Sequence, residues 1–405
     1  LNIRLMDTPE EQEKRLFNEK KIAAEEFARV NRIDKIGFPK INSKIGLIAA
    51  GKNWLDLIHA FSLLGIDARD AEELGITSYK IVQTWPIDRQ SLLEWSDQLD
   101  LIIVVEEKRK IIETQVKDTL FSVGSKTRVY GGDKNNEKLF SDYGVLDPLD
   151  IASAIGQIFQ EEGCSNTKLT SGLKKIKEAR SADNAPDLAE RLPYFCAGCP
   201  HNSSTVVPEG SRAYAGIGCH YMAQWMDRET LGFTHMGGEG ANWIGESLFS
   251  KRKHVFQNIG DGTYNHSGIQ AIRAAVAAKT DITYKILFND AVAMTGGQGN
   301  DGHLNAVRVV KELLAIGIKN TILVYDDKED LSLNSFPKEI EKVDRSKLNY
   351  AQEKLSKISG VTAIVYVQTC AAEKRRRRKR GLFPDPNKRL FINTDVCEGC
   401  LLYTS

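Results

Sequence analysis

The stretch His254-Val255-Phe256-Gln257-Asn258-Ile259-Gly260-Asp261-Gly262 passes from a short run of strand formers into a tight glycine turn. Just beyond it, Ile269, Ile272 and Val276 recur at the spacing of one helical face. A strand, a glycine turn and a helix start form a phosphate-type site, because free backbone N–H groups and the helix dipole point toward an anion. A second strand, Ile282 to Phe288, ends at Asn289, which is separated from Gly262 by 26 residues. That spacing puts Asn289 at the carboxyl end of a neighbouring strand, at the crevice where open α/β sheets bind ligands. An aspartate and an asparagine there suit a divalent cation bound together with a diphosphate. The alternative is an ordinary glycine turn in which Asp261 caps the following helix.

Working outward, Asn320 to Tyr325 and Val361 to Val367 read as further strands with helices between them. The first half repeats the alternation. Ile45 to Ala50, Tyr79 to Val82 and Leu101 to Val105 are strand-like, Trp54 to Leu64 and Ser91 to Leu99 helical. Strands alternating with helices predict α/β architecture with mainly parallel sheets, here in two domains. The expected boundaries are a helical connector over 1–38, a first α/β domain over 39–160, a linker with one helix over 161–192, a second α/β domain over 193–385 and a short C-terminal segment over 386–405. Within the connector, Leu16, Phe17, Ile22, Ala23 and Phe27 predict one amphipathic helix.

The 405 residues exceed what one core supports. With 41% hydrophobic and 27% charged residues, the composition is that of a folded globular chain. A net charge of +1 excludes a whole-surface basic field for nucleic acid or lipid. Neither a long apolar run nor a leader pattern is evident, so a soluble cytoplasmic protein is expected, without membrane or nucleic-acid partners. The seven cysteines fall as Cys196 with Cys199, then Cys219, Cys370, and Cys397 with Cys400, while Cys164 stands apart and reads as structural. Paired spacing in such a chain points to metal or cluster ligands. From spacing alone, Cys196, Cys199, Cys397 and Cys400 fit a zinc site as well as an iron–sulfur cluster.

Gly-Asp-Gly followed at this distance by Asn resembles the thiamine diphosphate and magnesium motif of thiamine enzymes. Phe195 to His201, Ala215 to His220, Met236 to Trp243 and Thr369 to Lys374 narrow the resemblance to fused indolepyruvate ferredoxin oxidoreductases, members of the 2-oxoacid:ferredoxin oxidoreductases. Ala50-Gly51-Lys52 and Val105 to Arg109 are similar to the transketolase-C-like domain of that family. The resemblance implies a transketolase-C-like domain, then a thiamine diphosphate-binding domain, then the start of a ferredoxin-like segment. It also implies an internal fragment, inactive alone, with a pyrimidine-binding domain before it.

Carried over by position, the resemblance assigns Asp261, Asn289 and the carbonyl of Ala291 to magnesium. Gly260, Gly262 and Thr263 would line the diphosphate, with His201 and Gly240 as weaker pocket candidates. Cys196, Cys199, Cys219 and Cys370 would hold a [4Fe-4S] cluster, and Cys397 with Cys400 part of a second. The implied reaction is oxidative decarboxylation of a 2-oxoacid, an aryl pyruvate such as indolepyruvate, to an acyl-coenzyme A with electrons passed to ferredoxin. A homodimer is expected. The competing function is a non-oxidative thiamine diphosphate decarboxylase without a cluster. His201, His266 and His303 are candidate proton carriers. Glu106 to Arg109 read equally as a solvated strand exit. The run Lys374 to Arg380 suggests docking of an acidic ferredoxin or a coenzyme A phosphate.

Overall fold

The computed structural model describes residues 4–183, 192–385 and 391–396, which fall into two compact units divided between Asp187 and Leu188. The first unit is built on a five-stranded sheet of Lys35–Ile36 (β1), Ile45–Ala50 (β2), Ile76–Ile81 (β3), Leu101–Val105 (β4) and Arg128–Tyr130 (β5), in the order β1-β3-β2-β4-β5. β1 is antiparallel to β3, and the other pairs are parallel. β2 and β4 are buried along almost their whole length, as strands covered by helices on both faces must be. On one face Leu57, Ala60, Phe61 and Leu64 of the Gly51–Leu64 helix pack with Ile155 and Phe159 of the Pro148–Glu161 helix. On the other, Trp95 and Leu92 meet Val116 and Leu120. A small hairpin, Asp133–Lys134 (β6) with Glu137–Lys138 (β7), follows β5.

Two expectations change here. The segment after residue 160 is no free linker: its helix, Thr167–Asp183, packs into the first core through Leu169 and Ile176. Gly172 allows the close approach, since a Cβ there would lie 2.4 Å from the Leu64 carbonyl oxygen. The N-terminal segment is not one helix either. Pro9–Arg15 and Lys21–Asn31 are joined by a π-helical turn, Leu16–Lys20, and Leu16, Phe17, Ile22 and Phe27 are exposed rather than packed.

The second unit is an all-parallel, seven-stranded sheet of Ala213–Ala215 (β8), Thr230–Phe233 (β9), Val255–Gly260 (β10), Ile282–Phe288 (β11), Thr321–Tyr325 (β12), Glu341–Asp344 (β13) and Val361–Val367 (β14). Its order is β13-β12-β14-β11-β10-β8-β9. β11 is buried at every residue, and its two faces serve two cores. Tyr284 and Ile286 pack with Ile272 and Ala275 of the Ile269–Ala278 helix and Val309 and Leu313 of the Ala306–Ala315 helix. Leu287 packs with Leu348, Ala351 and Leu355 of the Leu348–Leu355 helix. Lys285, on that second face, is wholly buried and donates to Gln352 Oε1 at 2.8 Å and the Val206 carbonyl at 3.2 Å. Burial without a carboxylate partner pushes its pKa down to about 7. A polar line runs from the residue before β10 across β11 to β14: His254 Nε2 to Thr283 Oγ1, and Thr283 Oγ1 to Thr362 Oγ1, both 2.7 Å. Residues 391–393 of the C-terminal segment form neither helix nor strand. Among the described residues no helix is long and apolar enough to cross a membrane.

Gly172→Ala should weaken the first unit by about 1–3 kcal/mol in urea unfolding, the usual range for overpacking. Gly245→Ala, with nothing within 4 Å of the added methyl, should be neutral or mildly stabilising. Burial lowers the pKa of His254 from 6.5 to about 4. The unfolded state therefore binds more protons across that window, and stability falls as pH drops through it, by up to about 1.4 kcal/mol per pH unit. His254→Gln should lose less stability than the wild type between about pH 7 and about pH 4.5, measured by denaturant unfolding.

Candidate functional site

β10 ends at Gly260, and the chain turns at once through Asp261–Thr263, a π-helical turn at Tyr264–Gly268 and the Ile269–Ala278 helix. Single π turns of this kind are frequent at functional sites. β11 ends at Phe288 beside it, followed by buried Asn289 and by Asp290 in the left-handed region at φ 58°. The Asp261 carboxylate ties the two exits together. Its Oδ1 accepts the Gly262 N–H at 2.8 Å, and its Oδ2 accepts the N–H groups of Asn289 at 3.1 Å and Asp290 at 3.0 Å. Asp261 thus joins two loops instead of acting as an ordinary helix cap. Burial raises its pKa to about 6, against the pull of these donors. Asn289 Oδ1 in turn accepts the Ala291 N–H at 3.2 Å.

A cleft of about 130 Å³ opens above these turns. Gly260, Asp261, Gly262, Thr263, Asn289, Ala291 and His266 all line it, with Cys219, His220 and Met236 on the opposite wall. His266 is exposed and its Nδ1 lies 2.6 Å from Ser267 Oγ. Three candidates stand elsewhere. His201 is buried, packed at 5.5 Å against the His220 ring, and held neutral by burial and by the nearby Lys285, with its pKa lowered to about 4. Gly240 serves packing, since at φ 87° a Cβ there would come 2.2 Å from the Tyr284 hydroxyl. His303 is exposed on the loop beyond.

The cysteines converge from three distant segments. Burial pushes the Cys199 thiol up to about 12, and the charges of Cys219, Cys370 and Cys196 push it the same way. Cys219 is raised by burial and then by Cys370 and Cys196. The four sulfurs therefore share one electrostatic neighbourhood, and all are free thiols. Among the described residues, no three His, Cys, Asp or Glu side chains converge as tightly as a single metal ion requires. Cys397 and Cys400 lie outside the described residues. Cys370 also touches the cleft loop directly, its N–H donating to the Asn289 carbonyl at 3.1 Å. Cys164 packs against the first core, as a structural cysteine would.

Sequence reading missed Asn300 and Glu239. The Asn300 amide lies close enough to Asp261 to oppose the rise in its pKa, yet neither Nδ2 nor Oδ1 completes a hydrogen bond among the described residues. Its Oδ1 stands 3.6 Å from where a Cβ of Gly262 would be. Glu239 is fully buried, with Oε2 accepting the Gly237 N–H at 2.7 Å and Oε1 left without a partner among the described residues. A carboxylate set among Gly237, Gly238 and Gly240 was the available signal. In the first unit, Glu106 accepts the N–H groups of Ile111, Ile112 and Glu113, so it caps a helix. In the basic run, Lys374, Arg376 and Arg377 turn inward onto acidic partners, leaving Arg375, Lys379 and Arg380 exposed.

A glycine turn and a bridging aspartate at adjacent ends of a parallel sheet make a site of the kind that takes a phosphate group with a cation. Residues 216–332 match the thiamine pyrophosphate enzyme C-terminal TPP binding domain, and residues 35–183 match the indolepyruvate oxidoreductase domain. In these two regions the chain is similar to indolepyruvate oxidoreductases and to thiamine pyrophosphate enzymes. It is 23% identical over 386 residues to the indolepyruvate oxidoreductase subunit IorA of Pyrococcus abyssi, covering 89% of this chain and 54% of that one. To the subunit IorA of Methanothermobacter marburgensis it is 26% identical over 272 residues, covering 64% and 40%. A 2-oxoglutarate:ferredoxin oxidoreductase from Magnetococcus marinus aligns over 51% of this chain and 76% of its own at 16% identity, with a TM-score of 0.36. The chain spans about half the length of the Pyrococcus relative.

Proposed function

We propose that this chain supplies the diphosphate and magnesium half of a thiamine diphosphate-dependent 2-oxoacid oxidoreductase. The observation that carries the reading is the Asp261 carboxylate joining the Gly260–Thr263 turn to the Asn289–Ala291 loop, inside the TPP-binding match. The residues suit the group. Asp261 is a buried carboxylate whose partners are neutral N–H donors, and Asn300 brings to the same turn an amide whose buried atoms have no partner among the described residues. Asp261, the Asn289 side chain and the Ala291 carbonyl would hold magnesium, which favours oxygen ligands. Gly260, Gly262 and Thr263 would hold the diphosphate through N–H groups at the helix start.

Thiamine diphosphate, when bound, supplies the carbon nucleophile through which a 2-oxoacid loses carbon dioxide. Cys196, Cys199, Cys219 and Cys370 would hold a [4Fe-4S] cluster, whose one-electron chemistry suits ferredoxin as electron acceptor, while coenzyme A would take the acyl group. Their placement favours this set over the zinc alternative, which leaves Cys219 and Cys370 unused. Exposed His266 lies on the cleft wall, where it can carry a proton. Buried neutral His220 instead lies beneath Gly216, Gly218 and Gly260, with the buried neutral His201 ring packed against it. An aryl pyruvate such as indolepyruvate as substrate, and a dimer, follow from the relatives' printed names and from the expectation of a shared site.

The full-length protein should bind thiamine diphosphate in a magnesium-dependent manner by calorimetry. Asp261→Ala should weaken that binding by more than about 100-fold, beyond the range usual for outer-shell partners. Anaerobically purified wild type should carry iron and sulfide, and Cys370→Ala should lose one cluster's worth. Absence of cofactor binding would overturn the reading. Binding with zinc instead of iron, or iron unaffected by Cys370→Ala, would remove the cluster and leave a non-oxidative thiamine enzyme.

A further inference from the structure

The basic run is the feature that the proposed function leaves without a use. The Ala371–Lys379 helix begins at Cys370, and its first backbone N–H neighbour is already fixed, because Cys370 N donates to the Asn289 carbonyl. About two turns on, Arg377 reaches back over the same loop. Its Nη2 donates to Asp290 Oδ2 at 2.7 Å while its Nε donates to Glu373 Oε1 at 3.2 Å. Asp290 is the residue that follows Asn289, holds a left-handed backbone, and donates its own N–H to Asp261 Oδ2. Arg376 closes the far side of the loop. A Cβ on Gly297 would lie 1.9 Å from Arg376 Nη1, so the loop passes directly beneath that guanidinium. The helix itself is anchored from behind by Lys374, 2.6 Å from Glu329, which also accepts the Thr369 N–H.

We propose that Arg377 and Asp290 form a positioning pair that fixes the Asn289–Gly297 loop against the helix starting at Cys370, and so holds Asn289 and Ala291 ready for the metal and diphosphate. The role rests on the cofactor reading for its purpose, but the pair's effect on the loop does not depend on that reading. Arginine is required. Its planar fork holds Asp290 and Glu373 together, which a lysine's single ammonium cannot reproduce in the same geometry. A half-exposed ion pair alone contributes little. Here it acts on a short loop already held at Asn289, whose N–H donates to the Asp261 carboxylate and whose carbonyl accepts the Cys370 N–H, so a small contact decides whether the left-handed Asp290 conformation is kept.

The test is amide hydrogen exchange on the full-length protein without cofactor. Arg377→Ala and Asp290→Asn should each speed exchange in residues 289–297 by about five- to tenfold, the low end of typical coupling between sites. The double variant should add nothing further, and Arg377→Lys should restore little. Exchange in the Ala306–Ala315 helix should stay unchanged, which distinguishes a loosened loop from a misfolded domain. Asp290→Asn leaves the helix sequence untouched and carries the test if Arg377→Ala folds poorly. Magnesium-dependent thiamine diphosphate binding should weaken by a similar factor in both single variants. Unchanged exchange at 289–297, or additive effects in the double variant, would overturn the pair. Wild type that fails to bind the cofactor while the exchange pattern holds would overturn the proposed function and leave the pair standing.

Discussion

The second unit depends on a carboxylate that crosses from one strand end to the next. β10 and β11 run in register up to Gly260 and Leu287, so their exits lie one strand spacing apart, about 4.8 Å. Two loops leaving there have N–H groups with no ladder to satisfy them. Asp261 satisfies three, and in doing so sets the spacing between the helix start and the Asn289 loop. An apolar residue would leave those donors buried and unpaired, and a longer carboxylate would move both loops. The order of the rest follows: Asn289 held by Asp261 presents its carbonyl to Cys370, and the cysteine segment inherits its position from the aspartate.

The first unit meets the same problem differently. The helix after β4 also starts with free N–H groups at the carboxyl edge of a parallel sheet. There Glu106 supplies the anion from within the chain, accepting from Ile111, Ile112 and Glu113. Its pKa is raised by burial despite these donors. In one unit a side chain occupies the helix start, while in the other the Gly260–Thr263 turn leaves a cleft there. Glycine against glutamate at comparable places in two sheets separates a filled anion position from an open one.

Much of this was legible in the sequence because the central strands are short, apolar and bounded by glycine or polar turns. β2, β4, β11 and β14 emerged with nearly the predicted limits, and Gly260, Asp261, Gly262, Thr263, Asn289 and Ala291 share one cleft as expected. The losses have physical reasons. β8, β9 and β13 are three or four residues long, too short for a period to show. The Thr167–Asp183 helix has a weak apolar stripe and buries only Leu169 and Ile176 among hydrophobic residues, so its composition reads as linker. The exposed apolar positions of the N-terminal helices follow the helical period without a core to receive them. Asn300, Glu239 and the Arg377–Asp290 contact are invisible to spacing because their meaning lies in what they face, and they face residues far away in the chain.

β14 lies between β11 and β12, so the last strand among the described residues is an interior strand of the sheet. Thr283 and Thr362, joined side by side, are 79 residues apart in the chain. As the polypeptide is synthesised, β10 and β11 can pair early, but the outer edge of β11 stays open until residues 361–367 arrive, and β12 with β13 can only wait beside it. Non-local parallel pairing of this kind is slow and leaves apolar edges exposed meanwhile. The arrival of β14 closes the sheet and delivers Cys370 to Asn289 in one event. Completion of the hydrophobic core and placement of Cys370 against the cleft loop are therefore a single late step, and a chain ending before residue 361 has neither.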